Sequence, residues 1–383
     1  MSLYLVAAEA SGDLLAREVA EWVRRKMPGV QLDGIGGAEL AAIGIQSPID
    51  ISPLSVLGFV EGIKAYRDVV RLADAAADDI CAKQPAVVVL VDSWGFTLRV
   101  AQRVRERAPS IRLIKLIGPQ VWATRPGRAA TLAATVDHLL CMHEIEAPFY
   151  EPFGLKTTVI GNPALTRAQK GNGEAFRRRH AIDPLQSVLL VLPGSRRSEI
   201  SSVAPVLLDA ARRVKQDLPD TRVIVQPAEP IQKVFAQRFP EVGTWAEVSL
   251  DSAERYDAMA AATVALACSG TVTSEVAMQG APMIVGYKTG WITWALARGL
   301  LYKKTHITLL NILNGDREIV PEFVQTRFKA GLIAGKAIEW LRDPVQLASQ
   351  TSRQSEALKQ LTRDGKSAAE IAADAIVSEL ASI

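Results

Sequence analysis

Val87-Val88-Val89-Leu90-Val91-Asp92-Ser93-Trp94-Gly95-Phe96 is the stretch that decides the fold. Five aliphatic residues in a row, four of them β-branched, show no polar alternation, so the strand they form is covered on both faces, as in a parallel sheet. Residues 98–107 then repeat apolar positions at helical spacing, and 111–117 form a second apolar run, which makes a strand–helix–strand unit. Working outward, 3–8 and 136–142 read as further buried strands and 14–26 as a helix. This doubly wound pattern closes near 157–160, before Gly161-Asn162-Pro163 and Lys170-Gly171-Asn172-Gly173, a composition suited to a domain edge. The same grammar restarts at 187–192, 222–225, 264–267 and 283–285. The expectation is two Rossmann-like α/β/α domains, 1–165 and 166–345, and a helical segment, 346–383, that packs back across one or both of them.

A chain of 383 residues, 49% of them hydrophobic, has material for two cores. Its net charge of only +3 argues against a dedicated nucleic-acid binder. Cys81, Cys141 and Cys268 are odd in number, far apart and set in apolar runs, which favours buried free thiols in a reducing cytoplasm over disulfides or a zinc site. The chain opens on a strand-like run without a basic leader, so secretion is not expected. No apolar run reaches the ~20 residues of a membrane span, and even 291–301 is broken by Arg298, so any membrane contact is expected to be peripheral.

Candidate chemistry sits where strands end. Glu9-Ala10-Ser11-Gly12-Asp13 follows the first strand, with small residues where a backbone can approach a ligand and Glu9 at the edge where open α/β sheets bind theirs; Asp13 also reads as a helix cap. Asp92 ends the next strand and reads either as a helix cap or as a base for an incoming hydroxyl. After 111–117, Gly118-Pro119-Gln120-Val121-Trp122 forms a stiff ledge. Trp122 is either a packing residue or a sugar platform, and Arg125 and Arg128 contact a phosphate or are solvated.

In the second half, Pro193-Gly194-Ser195-Arg196-Arg197-Ser198-Glu199 places hydroxyl, guanidinium and amide donors at a helix start, a set suited to a diphosphate. Ser269-Gly270-Thr271-Val272-Thr273-Ser274-Glu275, followed by Gly280-Ala281-Pro282, is the stronger signal. Its amides and hydroxyls face a phosphate, and Glu275, on the same helical face as Thr271, can accept from two ribose hydroxyls.

The Ser-Gly-Thr, Glu and Gly-x-Pro series resembles the nucleotide-sugar half of GT-B glycosyltransferases, which set two Rossmann-like domains facing across a cleft. Together with Glu9-Ala10-Ser11-Gly12-Asp13, Leu54-Ser55-Val56-Leu57-Gly58, Pro119-Gln120-Val121-Trp122-Ala123, Leu192-Pro193-Gly194-Ser195-Arg196 and Pro282-Met283-Ile284-Val285-Gly286-Tyr287, it resembles the lipid-A-disaccharide synthase family over nearly the whole chain. The resemblance implies transfer of 2,3-diacylglucosamine from UDP-2,3-diacylglucosamine to 2,3-diacylglucosamine 1-phosphate, inverting to a β(1→6) disaccharide. No cofactor or metal is implied. Gly194, Ser195, Arg196, Glu199, Ser269, Gly270, Thr271, Glu275 and Asn311 then fall on the UDP side, and Ser11, Gly12, Trp122 and Arg125 on the acceptor or phosphate side. Asp92 is the first choice of base and Glu9 the second, while Glu318 shares a late motif with Asn311. The family's Asp-x-x-Asp-Phe reads Asp92-Ser93-Trp94-Gly95-Phe96 here, so the second carboxylate is absent.

Acylated substrates imply contact with the cytoplasmic face of the inner membrane. Trp291, Trp294, Leu296, Leu300, Leu301 and Tyr302, interleaved with Arg298, Lys303 and Lys304, fit an interfacial surface or a core-facing helix, and 57–70 is a second candidate. A homodimer is compatible with the family, and no nucleic-acid partner is expected. The rival readings are a UDP-N-acetylglucosamine 2-epimerase or polyprenyl-linked transferase of the same fold, and a non-catalytic two-domain binding protein.

Overall fold

The computed structural model describes residues 1–55, 62–167, 169–290, 305–359 and 365–383. The candidate membrane segment 291–304 lies outside the described residues, as do residues 57–61 of the second candidate, 57–70, the rest of which falls in the helix Gly62–Lys83. The chain divides into two compact units, Met1–Thr166 with Arg363–Ile383, and Arg167–Thr362. The tail expected as one piece is thus divided, helix Pro344–Lys359 going with the second unit and helix Ala368–Ala381 with the first.

In the first unit, β1 (Ser2–Val6), β2 (Gln31–Ile35), β3 (Val87–Val91), β4 (Arg112–Leu116), β5 (His138–Cys141) and β6 (Lys156–Val159) form one sheet, ordered β2-β1-β3-β4-β5-β6. Every pair is parallel, with Leu3 opposite Val87 and Leu90 opposite Lys115. All of β3 is fully buried, each valine contributing on the order of 1.5–3 kcal/mol relative to exposure. Helix α1 (Ala10–Lys26) and the C-terminal helix Ala368–Ala381 share the core on one face of the sheet. Helices α2 (Ala38–Ala42), α3 (Gly62–Lys83) and α4 (Trp94–Arg107) belong to the same unit, and α4 packs in the core of the other face.

The second unit repeats this plan. β7 (Val188–Leu192), β8 (Arg222–Val225), β9 (Glu247–Val248), β10 (Val264–Cys268), β11 (Met283–Tyr287) and β12 (Glu322–Val324) lie in the order β12-β11-β10-β7-β8-β9, all parallel. Strands β2, β9 and β12 escape the periodicity reading because they are short or only partly apolar. In each sheet the chain adds strands on one side of its first strand and then crosses to the other. The crossover points are β1/β3 and β7/β10, and crevices outside such points are where open α/β sheets hold ligands.

The C-terminal helix is tied to the start of three strands by one carboxylate. Glu379 is buried, and its Oε1 lies 2.9 Å from His138 Nδ1 and 2.8 Å from Lys156 Nζ, with Arg112 Nε 3.6 Å from Oε2. Burial alone would raise the Glu379 carboxyl, but the three basic partners outweigh it and hold it below its ordinary value. Burial, helped by Lys156, lowers His138 despite the opposing pull of Glu379. Both groups therefore bind fewer protons folded than unfolded, so stability is lost as pH falls, first through the ordinary histidine value of 6.5 and then through the carboxylate range. Melting curves should show a midpoint that declines below that value. In Glu379→Ala the midpoint should already be lower at neutral pH, by the equivalent of about 1.5–3 kcal/mol for a hydrogen bond to a charged group. An unchanged midpoint would mean that this cluster does not hold the helix.

Candidate functional site

Glu9 follows β1 in extended conformation, and α1 begins at once with Ala10, four residues earlier than its periodicity suggests. Asp13 therefore lies inside α1 and does not cap it. Its buried carboxylate instead accepts from the amides of Glu39 at 2.8 Å and Leu40 at 3.4 Å, capping α2. Gly36 and Gly37 make this approach possible, since a Cβ on either would come within 2.5 and 2.9 Å of the Asp13 oxygens. Ser11 is exposed and, with Glu9, lines an open depression of about 760 Å³ whose charged walls, Glu9, Asp13, Glu39 and Asp50, are all acidic. Such walls suit hydroxyl groups and disfavour a phosphate. Gly12 is buried against Val91 and does not line it.

Asp92 and Ser93 both adopt left-handed backbone, with φ of 44° and 41°. Two successive non-glycine residues in that region carry strain and persist only where neighbours enforce it. The neighbours are visible. Asp92 N donates to Leu116 O at 2.8 Å, and Asp92 O accepts from Thr97 Oγ1 at 2.6 Å and from Lys115 Nζ. The helix that follows has Ser93 at its N-cap, so the Asp92 carboxylate does not cap it and remains half-buried at the sheet edge. Lys115 is buried and also donates to Thr97 Oγ1 at 2.7 Å. Burial pushes its ammonium down to about 7, against the pull of the Asp92 and Glu9 carboxylates. Sequence reading passed over this lysine, although a single cation within Leu113-Ile114-Lys115-Leu116, an otherwise two-sided apolar strand, was the available signal.

Trp122 is buried with its indole N–H unpaired, so it packs inward and offers no open platform. Arg125 is exposed, and Arg128 lies over the Trp94 ring at 5.1 Å.

At the β7/β10 crossover a cavity of about 320 Å³ brings together Gly194, Ser195, Arg196 and Glu199 with Ser269, Gly270, Thr271 and Glu275. The residue chemistry of the first loop is as expected, but its amides are engaged otherwise. Glu199 Oε2 accepts from Ser195 N at 2.7 Å and Arg196 N at 3.2 Å, while Oε1 takes Arg196 Nη1 at 3.1 Å. Glu199 is buried and shapes the loop from within. Gly194 is required there, with φ of +124° and a would-be Cβ 2.6 Å from Glu199 Cβ. The exposed guanidinium of Arg196 and the hydroxyls of Ser195 and Thr271 remain as the outward-facing donors.

Glu275 pairs with Arg255, whose Nη2 donates to Oε1 at 2.8 Å and to Tyr256 Oη at 2.7 Å. Burial raises the Glu275 carboxyl, with Arg255 opposing. Arg255 and Gln226, both lining the cavity, were not singled out from sequence. Asn311 does not line it. Its carboxamide donates to Val320 O and Glu322 Oε1 and accepts from the Ile319 and Val320 amides, each at 2.8 Å, so all four of its hydrogen-bonding positions serve the fold. Glu318 is exposed beside Arg353, in a separate depression. Among the described residues no group of three or more His, Cys, Asp or Glu could hold a metal ion, and no helix is long and apolar enough to cross a membrane.

Residues 3–377 match the family described as lipid-A-disaccharide synthetase. The chain is 36% identical to the lipid-A-disaccharide synthase of Rhodospirillum centenum over 84% of its own length and 80% of the relative. It is 35% identical to that of Paramagnetospirillum magneticum over 98% and 97%. Among solved structures it shares its fold with UDP-GlcNAc 2-epimerase from Neisseria meningitidis, at a TM-score of 0.60 and 11% identity over the whole of both chains. It also shares the fold of MurG from Acinetobacter baumannii, at a TM-score of 0.58 and 13% identity over 98% and 99%. At those identities the structural likeness is one of fold, whereas the sequence relationship spans both sheets and the loops at their carboxyl ends, and the chain belongs to the lipid-A-disaccharide synthase family.

Proposed function

We propose that this chain transfers 2,3-diacylglucosamine from UDP-2,3-diacylglucosamine to the 6-hydroxyl of 2,3-diacylglucosamine 1-phosphate. The observation that carries the reading is the cavity of the second unit, where Ser269-Gly270-Thr271 and Arg196 meet Glu275. That combination offers donors for a diphosphate and a carboxylate for ribose hydroxyls. The acceptor oxygen forms the new bond to the anomeric carbon as the bond to the UDP oxygen breaks, inverting the α-linked donor to a β product. UDP leaves with the electron pair, and the hydroxyl proton passes to a carboxylate. Asp92 is the proposed base, with Glu9 second. Arg196 and the hydroxyl donors offset the charge growing on the diphosphate, a preorganised electrostatic contribution. Acyl chains on both substrates support a peripheral protein of the inner membrane, and the family supports a homodimer. An epimerase of this fold would need no acylated acceptor, so formation of disaccharide from both acylated substrates separates the two activities.

Three outcomes are expected. UDP affinity measured by calorimetry should be similar with magnesium and with chelator; affinity that disappears with the divalent ion would replace Arg196 by a metal as the diphosphate partner. Glu275→Ala should weaken UDP and uridine alike by about 1–3 kcal/mol. Normal binding of both would remove Glu275 from the ribose. Asp92→Asn should lose ~10² to 10⁴ in turnover while UDP affinity and melting temperature hold. A folded Asp92→Asn enzyme within a few-fold of wild type would pass the role of base to Glu9.

A further inference from the structure

Gln226 follows β8, immediately beyond the strand whose end carries the Gly194–Arg196 loop and on the side away from β10. Strands lie about 5 Å apart, so the cavity continues from the diphosphate donors at β7 and β10 toward Gln226. The lining here combines the apolar Pro227, Ala228 and Pro230 with the polar Glu229, Gln232, Asp251 and Ser252. Gln226 is only 6% exposed, and its Oε1 has no hydrogen-bond donor. An unpaired buried carbonyl oxygen costs free energy for as long as it stays unpaired. Its Nε2 is held at the long limit of hydrogen bonding, 3.4 Å from Ser249 Oγ and 3.5 Å from Asp251 O. The Asp251 carbonyl can only accept, so it fixes which end of the amide is nitrogen and keeps the oxygen as the free end. Bonds of this length hold the amide nitrogen only weakly.

We propose that Gln226 reads the nucleotide base, its Oε1 accepting the imide N3–H of a uracil ring and thereby selecting UDP over CDP. The proposal rests on reading this cavity as the donor site. A phosphate carries only acceptors and would be repelled by Oε1, and the ribose hydroxyls are assigned to Glu275. A flat ring with an N–H between two carbonyls fits both this mixed lining, apolar beside its faces and polar beside its edge, and the orphan oxygen. Cytosine presents a lone pair at the same ring position, and the anchored amide cannot flip to meet it.

Calorimetry of UDP and CDP on the full chain, with melting temperatures taken without nucleotide, tests this in Gln226→Met and Gln226→Leu. Wild type should favour UDP over CDP by about tenfold or more, the value of one well-made hydrogen bond. Both variants should lose about that factor on UDP and little on CDP, which brings the ratio near one. Their melting temperatures should be unchanged or higher, because an apolar atom replaces an unpaired oxygen. Folded variants that keep the wild-type UDP-to-CDP ratio would overturn the proposal and leave the donor site standing. Melting temperatures several degrees lower in both would show that the amide serves the fold, and would also overturn it. Failure of wild type to bind UDP would remove the donor-site reading and this inference with it.

Discussion

A parallel strand buried on both faces has its backbone donors and acceptors consumed by the two neighbouring ladders and its side chains consumed by packing, so it can present chemistry only where it ends. That constraint governs both units. β3 and β10 are buried throughout, and the first polar side chains after them are Asp92 and Ser269. At the crossover points the connections on either side of the first strand leave in opposite directions, which opens room outside the sheet at the residues freed from the ladder. The fold thus chooses the location of the chemistry before any particular residue contributes to it.

Both units then use a buried carboxylate as an internal clamp. Asp13 gathers two amides at the start of α2, and Glu199 gathers two amides in the loop after β7. Hydrogen bonds from neutral amides to an ionised acceptor are roughly twice as strong as neutral ones, which is enough to set the shape of a short loop. Each clamp needs glycine beside it, Gly36 and Gly37 in one unit and Gly194 in the other, since a Cβ would occupy the space of the carboxylate. Glycines that suggest close approach of a ligand here allow close approach of a side chain from the same unit.

Cations handle the remaining acidic groups differently in the two units. Lys115 lies buried beneath Glu9 and Asp92 and spends its hydrogen bonds on the Asp92 carbonyl and Thr97, which fastens a left-handed turn and leaves the carboxylate outside. Arg255 instead meets Glu275 directly from the side of the cavity and offsets part of the rise that burial imposes on its carboxyl. The first arrangement fixes a backbone, and the second opposes the rise that burial imposes on a carboxyl.

Much of the architecture was legible in the chain itself. Unbroken apolar runs at 87–91, 223–225 and 264–267 mark strands of two parallel sheets, and the residues just past their ends mark the site, because periodicity and strand termination are local properties. The family could be read the same way, since its motifs are contiguous. The fates of individual polar side chains could not be read. Asn311 matches a donor-site motif yet is saturated by groups eight to eleven residues away. Glu199 turns back on its own loop, Lys115 reaches beneath a neighbouring strand, and Gln226 is left with an unpaired oxygen by partners 23 and 25 residues on. Whether a polar group is spent on the fold or left for a ligand depends on every donor and acceptor within about 3 Å of it. Sequence order leaves those neighbours open, and they exist only once the sheets have closed.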